Sequence, residues 1–159
     1  MIFTCKTTNL NKAIQTVQRA ISSKPSTPIF SGIHLIADNN ILEIQAMDLN
    51  MAIACSIEAE IQEKGEIVVS AKHFSELMRK LPGENVTIVK NKEEKTINVQ
   101  SDKSDFQLLL MNEDDYPKFP EFNADKQIVL EDEKIKELIE KKLFLPALQT
   151  KQDLCSQVF

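Results

Sequence analysis

The chain of 159 residues has no tryptophan, one tyrosine, two histidines and three glycines. So few glycines leave no Gly-rich loop to cradle a phosphate. His34 and His73 stand without the nucleophile, base and orienting group that catalysis requires. Asp114-Asp115 is the one hint of a metal pair, and it lies in a connector. No catalysis, cofactor or metal site is therefore expected. The three cysteines, Cys5, Cys55 and Cys155, are far apart and form neither metal-ligand spacing nor a disulfide framework. Cys5 and Cys55 fall in strand-like runs and read as small buried hydrophobes. No apolar run approaches the length of about 18 residues that spans a membrane. The start, MIFTCKTTN, lacks the apolar stretch of a signal peptide, so no membrane association and a cytoplasmic location are expected.

A more local absence carries more weight. Residues 1–37 contain no Asp or Glu, although the chain carries a net charge of −5. Lys6, Lys12, Arg19 and Lys24 give this segment +4, so the remainder carries −9. A basic segment on an acidic body steers a polyanion to one face. The plainer alternative is a cluster of solubilising residues on a wet surface.

The same segment sets the pattern of the chain. Ile2, Phe3 and Cys5 suggest an opening strand. Leu10, Ala13, Ile14, Val17 and Ile21 recur at helical spacing, with Asn9 as a candidate N-cap and Lys12, Gln15 and Arg19 opposite. Pro25 and Pro28 stop the helix. Strands are predicted over 33–37, 41–47 and 51–61, with Asp38-Asn39-Asn40 as a hairpin turn. The order then restarts: a strand at 66–70, a helix at 71–81 with Phe74, Leu77, Met78 and Leu81 inward, and strands at 86–90, 96–100 and 106–111. Residues 112–123, NEDDYPKFPEFN, read as a connector pinned by Tyr116, Phe119 and Phe122. A third start follows, with a strand at 127–130 and a helix from Asp132 to about Lys142. The helices share one pattern: Leu10-x-x-Ala13-Ile14, Phe74-x-x-Leu77-Met78 and Ile135-x-x-Leu138-Ile139. Each repeat is β-α-β-β-β and spans roughly 60 to 65 residues, longer than usual solenoid periods. The expected class is α+β, with two repeats in one domain.

Several local stretches carry a family resemblance. They are Lys24-Pro25-Ser26-Thr27-Pro28-Ile29 with Ser31-Gly32, Ala46-Met47-Asp48-Leu49, Arg79-Lys80-Leu81-Pro82, Ser101 to Leu108, and Asp115-Tyr116-Pro117. In this order they resemble the bacterial DNA sliding clamp, the beta subunit of DNA polymerase III. The resemblance covers residues 1 to about 142, departing at Lys24, where the family often has Arg. It implies the DNA-clamp fold, with sheets outside and two helices lining the DNA-facing side. Residues 1–122 would be the N-terminal clamp domain and 123–142 the start of the second. The implied function is that of a non-catalytic processivity subunit that encircles duplex DNA, without reading sequence, and tethers the replicative polymerase. The implied partners are double-stranded DNA, a second clamp protomer, the clamp loader and the polymerase.

By resemblance, Lys24 and Lys72 match the family's DNA-contacting positions. Charge and helix placement add Lys12, Arg19, Arg79 and Lys80. Phe106 and Leu108, on a strand expected to be a sheet edge, match the family's dimer interface, where Lys103 would pair with acids. The competing expectation is a protein-interaction module that uses this edge and binds no DNA.

Residues 143–159 match nothing upstream. Codons for residues 142–159 can be chosen so that an adjacent frame reads TIFACSTDKTRSMFTGV, whose STDKTRSMFTGV parallels the SSKPSTPIFSGI of residues 22–33. A shifted reading frame is therefore the expectation for this tail, and with it a chain that does not close a ring alone.

Overall fold

The computed structural model describes residues 1–119 except 23 and 92, together with Glu133, Lys134, Lys136 and Glu137. Those last four are helical and exposed. Phe122, the strand expected at 127–130, the rest of the third helix and the tail of 143–159 lie outside the described residues. The chain divides into two compact units, Met1–Glu121 and Phe122–Phe159.

The first unit contains β1 (Ile2–Lys6), α1 (Thr7–Val17), β2 (Gly32–Asp38), β3 (Ile41–Met47), β4 (Ala52–Glu58) and β5 (Glu60–Glu63). There follow β6 (Gly65–Ser70), α2 (Ala71–Lys80), β7 (Asn85–Asn91), β8 (Thr96–Ser101) and β9 (Ser104–Met111). Short 3-10 turns cover Gln18–Ala20, Pro28–Ser31 and Glu113–Asp115. The second repeat is β-α-β-β-β as predicted, and the first follows the same order with its last strand divided into β4 and β5.

The helix begins earlier than the sequence suggested. Lys6, not Asn9, occupies the cap position, and no side chain caps the helix. The Thr7 backbone N–H instead donates to the Glu84 carbonyl at 2.8 Å, so a tertiary contact fixes the strand-to-helix corner. The predicted strand of 51–61 is also divided. Ala59 breaks it by donating its N–H to the Asn40 carbonyl, and it is buried at the corner between β4 and β5. The Asn39-Asn40 turn forms as expected, with φ of 49° and 61°, the left-handed pair that a tight hairpin needs.

The strands follow the order β4-β3-β2-β6-β9-β8-β7-β1-β5, and every pairing is antiparallel. The first strand of each repeat joins the sheet of the other, β1 beside β7 and β6 beside β2. The last strand of each repeat turns back to its own first strand: β5 pairs with β1, and the end of β9 pairs with β6. The two repeats are thus interlocked, and neither can bury its sheet alone.

Both helices lie over one sheet face. Leu10, Ile14 and Val17 of α1, and Phe74 and Met78 of α2, are buried with Phe3, Leu35, Ile44, Ile67 and Ile88 in one core. Each such side chain removed from water contributes about 1.5–3 kcal/mol. Alternation along β6 sends Ile67 and Val69 into this core and Val68 to the opposite face. There Val68 meets Ile29, Phe30, Met47 and Tyr116, with Phe119 packed alongside. Tyr116 and Phe119 therefore hold the connector against the sheet. His34 stands beside Tyr116, ring centroids 5.0 Å apart, and its Nε2 lies 2.9 Å from a Glu66 carboxylate oxygen.

Candidate nucleic-acid interface

The amphipathic pattern of each helix fixes which side chains remain wet. Burying Leu10, Ala13, Ile14 and Val17 leaves Lys12, Gln15 and Thr16 exposed on α1, and Arg19 exposed in the 3-10 turn after it. Burying Phe74 and Met78 leaves Lys72, His73, Arg79 and Lys80 exposed on α2. The helices touch: Asn11 donates from Nδ2 to the Met78 carbonyl at 3.4 Å. Since both bury their inner sides in one core, their outer sides form one continuous surface. That surface carries Lys12, Arg19, Lys72, Arg79 and Lys80 against one acid, Glu76, which is half-buried. Lys24 is exposed in the loop between α1 and β2. None of these six cations has an ion-pair partner among the described residues.

Arg79 and Lys80 occupy the last turn of α2, where cations also favour the helix dipole by about 0.3–1 kcal/mol. They have a structural role whatever they bind. Lys12 and Lys72 have no such role, and Lys24 belongs to no helix. The six long side chains are solvated, so the surface offers diffuse positive charge, not a fixed pocket.

The described cavities lie elsewhere. One of about 660 Å³ is lined by Lys90, Lys95, Met111, Glu113 and Asp114. Lys90 Nζ donates to both Glu113 carboxylate oxygens, at 2.7 and 3.0 Å, so little net cation remains for a phosphate. Among the described residues no group of three or more His, Cys, Asp or Glu side chains is placed to hold a metal. No described helix is long and apolar enough to cross a membrane.

The β9 strand corrects one expectation in detail. It lies inside the strand order, not at its end. Only Leu110 and Met111 pair with β6, however, while residues 104–109 pair with β8 alone. Their other side is unpaired among the described residues. Phe106 is 42% exposed and Leu109 78%, Leu108 is half-buried, and Lys103 is exposed in the preceding turn. A cavity of about 240 Å³ at this fork is lined by Ser70, His73, Gln107, Leu108 and Leu109. Sequence reasoning missed the counterpart at β4, which ends the strand order and has no partner along its outer side among the described residues. Reading 51–61 as one strand concealed it; the lack of Lys and Pro in AIACSIE was the available signal.

Comparison with known proteins decides the family. Residues 1–120 match the model of the DNA polymerase III beta subunit, N-terminal domain. The chain belongs to this family. The beta sliding clamp of Bacillus subtilis is 30% identical over 152 residues, which is 91% of this chain and 40% of that relative. The solved sliding clamp of Bacillus subtilis superposes with a TM-score of 0.85 at 28% identity, covering 98% of this chain and 42% of the other. A putative DNA polymerase III beta subunit from Eubacterium rectale gives 0.81 at 30% identity, covering 87% and 38%. The DNA-clamp fold expected from the sequence is therefore established. The chain spans about two fifths of the length of these relatives.

Proposed function

We propose that this chain serves as the DNA-facing N-terminal part of a sliding clamp, a cytoplasmic, non-catalytic processivity factor of replication. The observation that carries this reading is the joined outer face of α1 and α2, with five free cations and one half-buried acid on a chain of net charge −5. Lys24, Lys72, Lys12, Arg19, Arg79 and Lys80 would meet phosphates. A ring that slides must not grip; topology retains it, so contacts need only be weak, phosphate-directed and blind to sequence. Solvated lysines and arginines without rigid hydrogen-bonding partners suit that requirement. The acidic remainder would repel DNA from other surfaces. Phe106, Leu108 and Lys103 would form the edge that receives a second protomer. Clamp loader and replicative polymerase would be the further partners.

The open edge of residues 104–109 also fits a protein-interaction module that binds no DNA. Fluorescence anisotropy separates the two readings. The DNA reading expects weak binding at low salt, equal for two duplexes of unrelated sequence and lost as salt rises. Absence of binding to either duplex at low salt would leave the interaction module as the better account.

A further inference from the structure

We infer that Thr27 is a phosphorylation site, and that a phosphoryl group there switches off the DNA contact of the neighbouring Lys24. The switch rests on the DNA reading, which it deepens by naming a means of regulation; the site itself stands on the geometry of the loop.

The loop between α1 and β2 carries hydroxyls that the fold does not use. A protein kinase needs an accessible hydroxyl on a segment that fits its cleft, so hydroxyls on helices and strands, or already bonded, are poor acceptors. Ser22 Oγ accepts the Lys24 N–H at 3.2 Å, and Ser31 Oγ donates to the Pro28 carbonyl at 2.6 Å. Thr16 Oγ1 donates to the Lys12 carbonyl within α1. Thr8 and Ser56 are exposed, but on α1 and β4. Among the described residues, only Ser26 and Thr27 are exposed, lie outside helix and strand, and carry an unbonded hydroxyl.

Proline singles out Thr27. A residue before proline is held extended, and Thr27, before Pro28, has φ −133° and ψ 139°. Thr27-Pro28 is the one Ser-Pro or Thr-Pro pair in the chain. Just beyond it, Ile29 and Phe30 are buried on the outer sheet face and anchor the segment. The Thr27 carbonyl accepts the Phe30 N–H at 3.1 Å, a bond that leaves the side chain uncommitted. The hydroxyl can therefore be modified without unfolding.

The step is phosphoryl transfer. Thr27 Oγ1 bonds to the γ-phosphorus of a nucleoside triphosphate as the bridging oxygen bond to that phosphorus breaks. The nucleoside diphosphate leaves, and the hydroxyl proton passes to a base of a serine/threonine protein kinase. The product carries about −1.5 to −2 at pH 7. Residues 1–37 contain no acid and sum to +4, so this phosphate is their one negative group and about halves their charge. Three residues of chain place it at most about 11 Å from Lys24. That is about one Debye length at 0.1 M salt. Lys24 gains an intramolecular counter-ion, and an approaching DNA phosphate meets a like charge.

The test incubates the full chain with a proline-directed serine/threonine kinase and ATP, locates the modified residue by mass spectrometry and measures duplex binding by fluorescence anisotropy. Phosphate at Thr27 is expected, with duplex affinity at low salt reduced roughly fivefold to tenfold and the difference shrinking as salt rises. Thr27→Ala should take up no phosphate and bind duplex as the unmodified chain does. Thr27→Glu, with a single charge, should show a smaller loss. In Lys24→Gln the phosphate should weaken binding less, because no lysine remains there to neutralise. An unchanged denaturation midpoint after modification separates the charge effect from damage to the fold. No phosphate at Thr27 in the folded chain, or phosphate there with unchanged duplex affinity, would overturn the inference and leave the DNA reading standing. An unmodified chain that binds no duplex at low salt would overturn the DNA reading and the switch with it.

Discussion

Asn11 of α1 donates a hydrogen bond from Nδ2 to the Met78 carbonyl of α2 across 3.4 Å, while its own Oδ1 is buried without a partner. This one side chain spans the seam between the two helices. The seam sets the spacing of Lys12 and Lys72, so the shape of the cationic face depends on packing beneath it. Asn11→Leu removes the orphaned oxygen but also the donor for Met78. An apolar residue of similar size should leave stability within about 1 kcal/mol, because loss of one net hydrogen bond is offset by removal of a buried unpaired acceptor. Denaturant unfolding measures it.

Ile14 and Phe74 are fully buried under the same seam. Ile14→Ala should destabilise by about 2–5 kcal/mol, the cost of lost burial plus a cavity. Lys12→Ala, two residues away on the wet side, should change stability by less than about 0.5 kcal/mol. Comparing the two by urea unfolding separates the face that folds the domain from the face assigned to DNA.

Gly32 stands where the two repeats join. A Cβ there would lie 2.8 Å from Val68 Cγ1, 3.0 Å from the Ile29 carbonyl oxygen and 3.1 Å from Met111 Sδ. Gly32→Ala must displace the Pro28–Ser31 turn or the short β6–β9 pairing. It should destabilise by about 1–3 kcal/mol, as overpacking does, with a lower midpoint in chemical denaturation.

Burial pushes the Tyr116 hydroxyl up to about 12 from 10. The nearby Met47 backbone opposes part of that shift, but no hydrogen bond of good geometry forms, so desolvation governs it. A phenol whose folded pKa is raised stabilises the fold fully below pH 10, and that contribution is lost as pH rises through about 12. Tyr116→Phe should therefore leave stability near pH 7 unchanged or slightly higher and soften the fall between pH 10 and 12. Thermal unfolding across that range checks it. Cys5, raised by burial to about 12, acts in the same direction in both proteins and cancels in the comparison.

Much of this was legible in the sequence because the deciding patterns are local. Ile41 to Met47 alternates cleanly and forms β3 over those residues. Leu10, Ala13, Ile14 and Val17 keep helical spacing and are all buried. What escaped depends on distant partners. The start of α1 is set by Glu84, far along the chain, and not by its own cap residue. The break at Ala59 depends on the Asn40 carbonyl. That break places β4 at the end of the sheet, and no window of sequence shows that a strand will lack a neighbour. The cationic face was readable for a related reason: an acid-free run with helical period already separates charge from core.

The salt dependence of duplex binding tests the central claim most directly. Wild-type chain and the Lys24→Glu, Lys72→Glu double variant would be titrated into one duplex across a range of salt. The account expects weaker binding by the variant and a log–log salt slope shallower by about 2, since each lost phosphate contact removes about 0.9. Equal affinity and equal slope at low salt would contradict it.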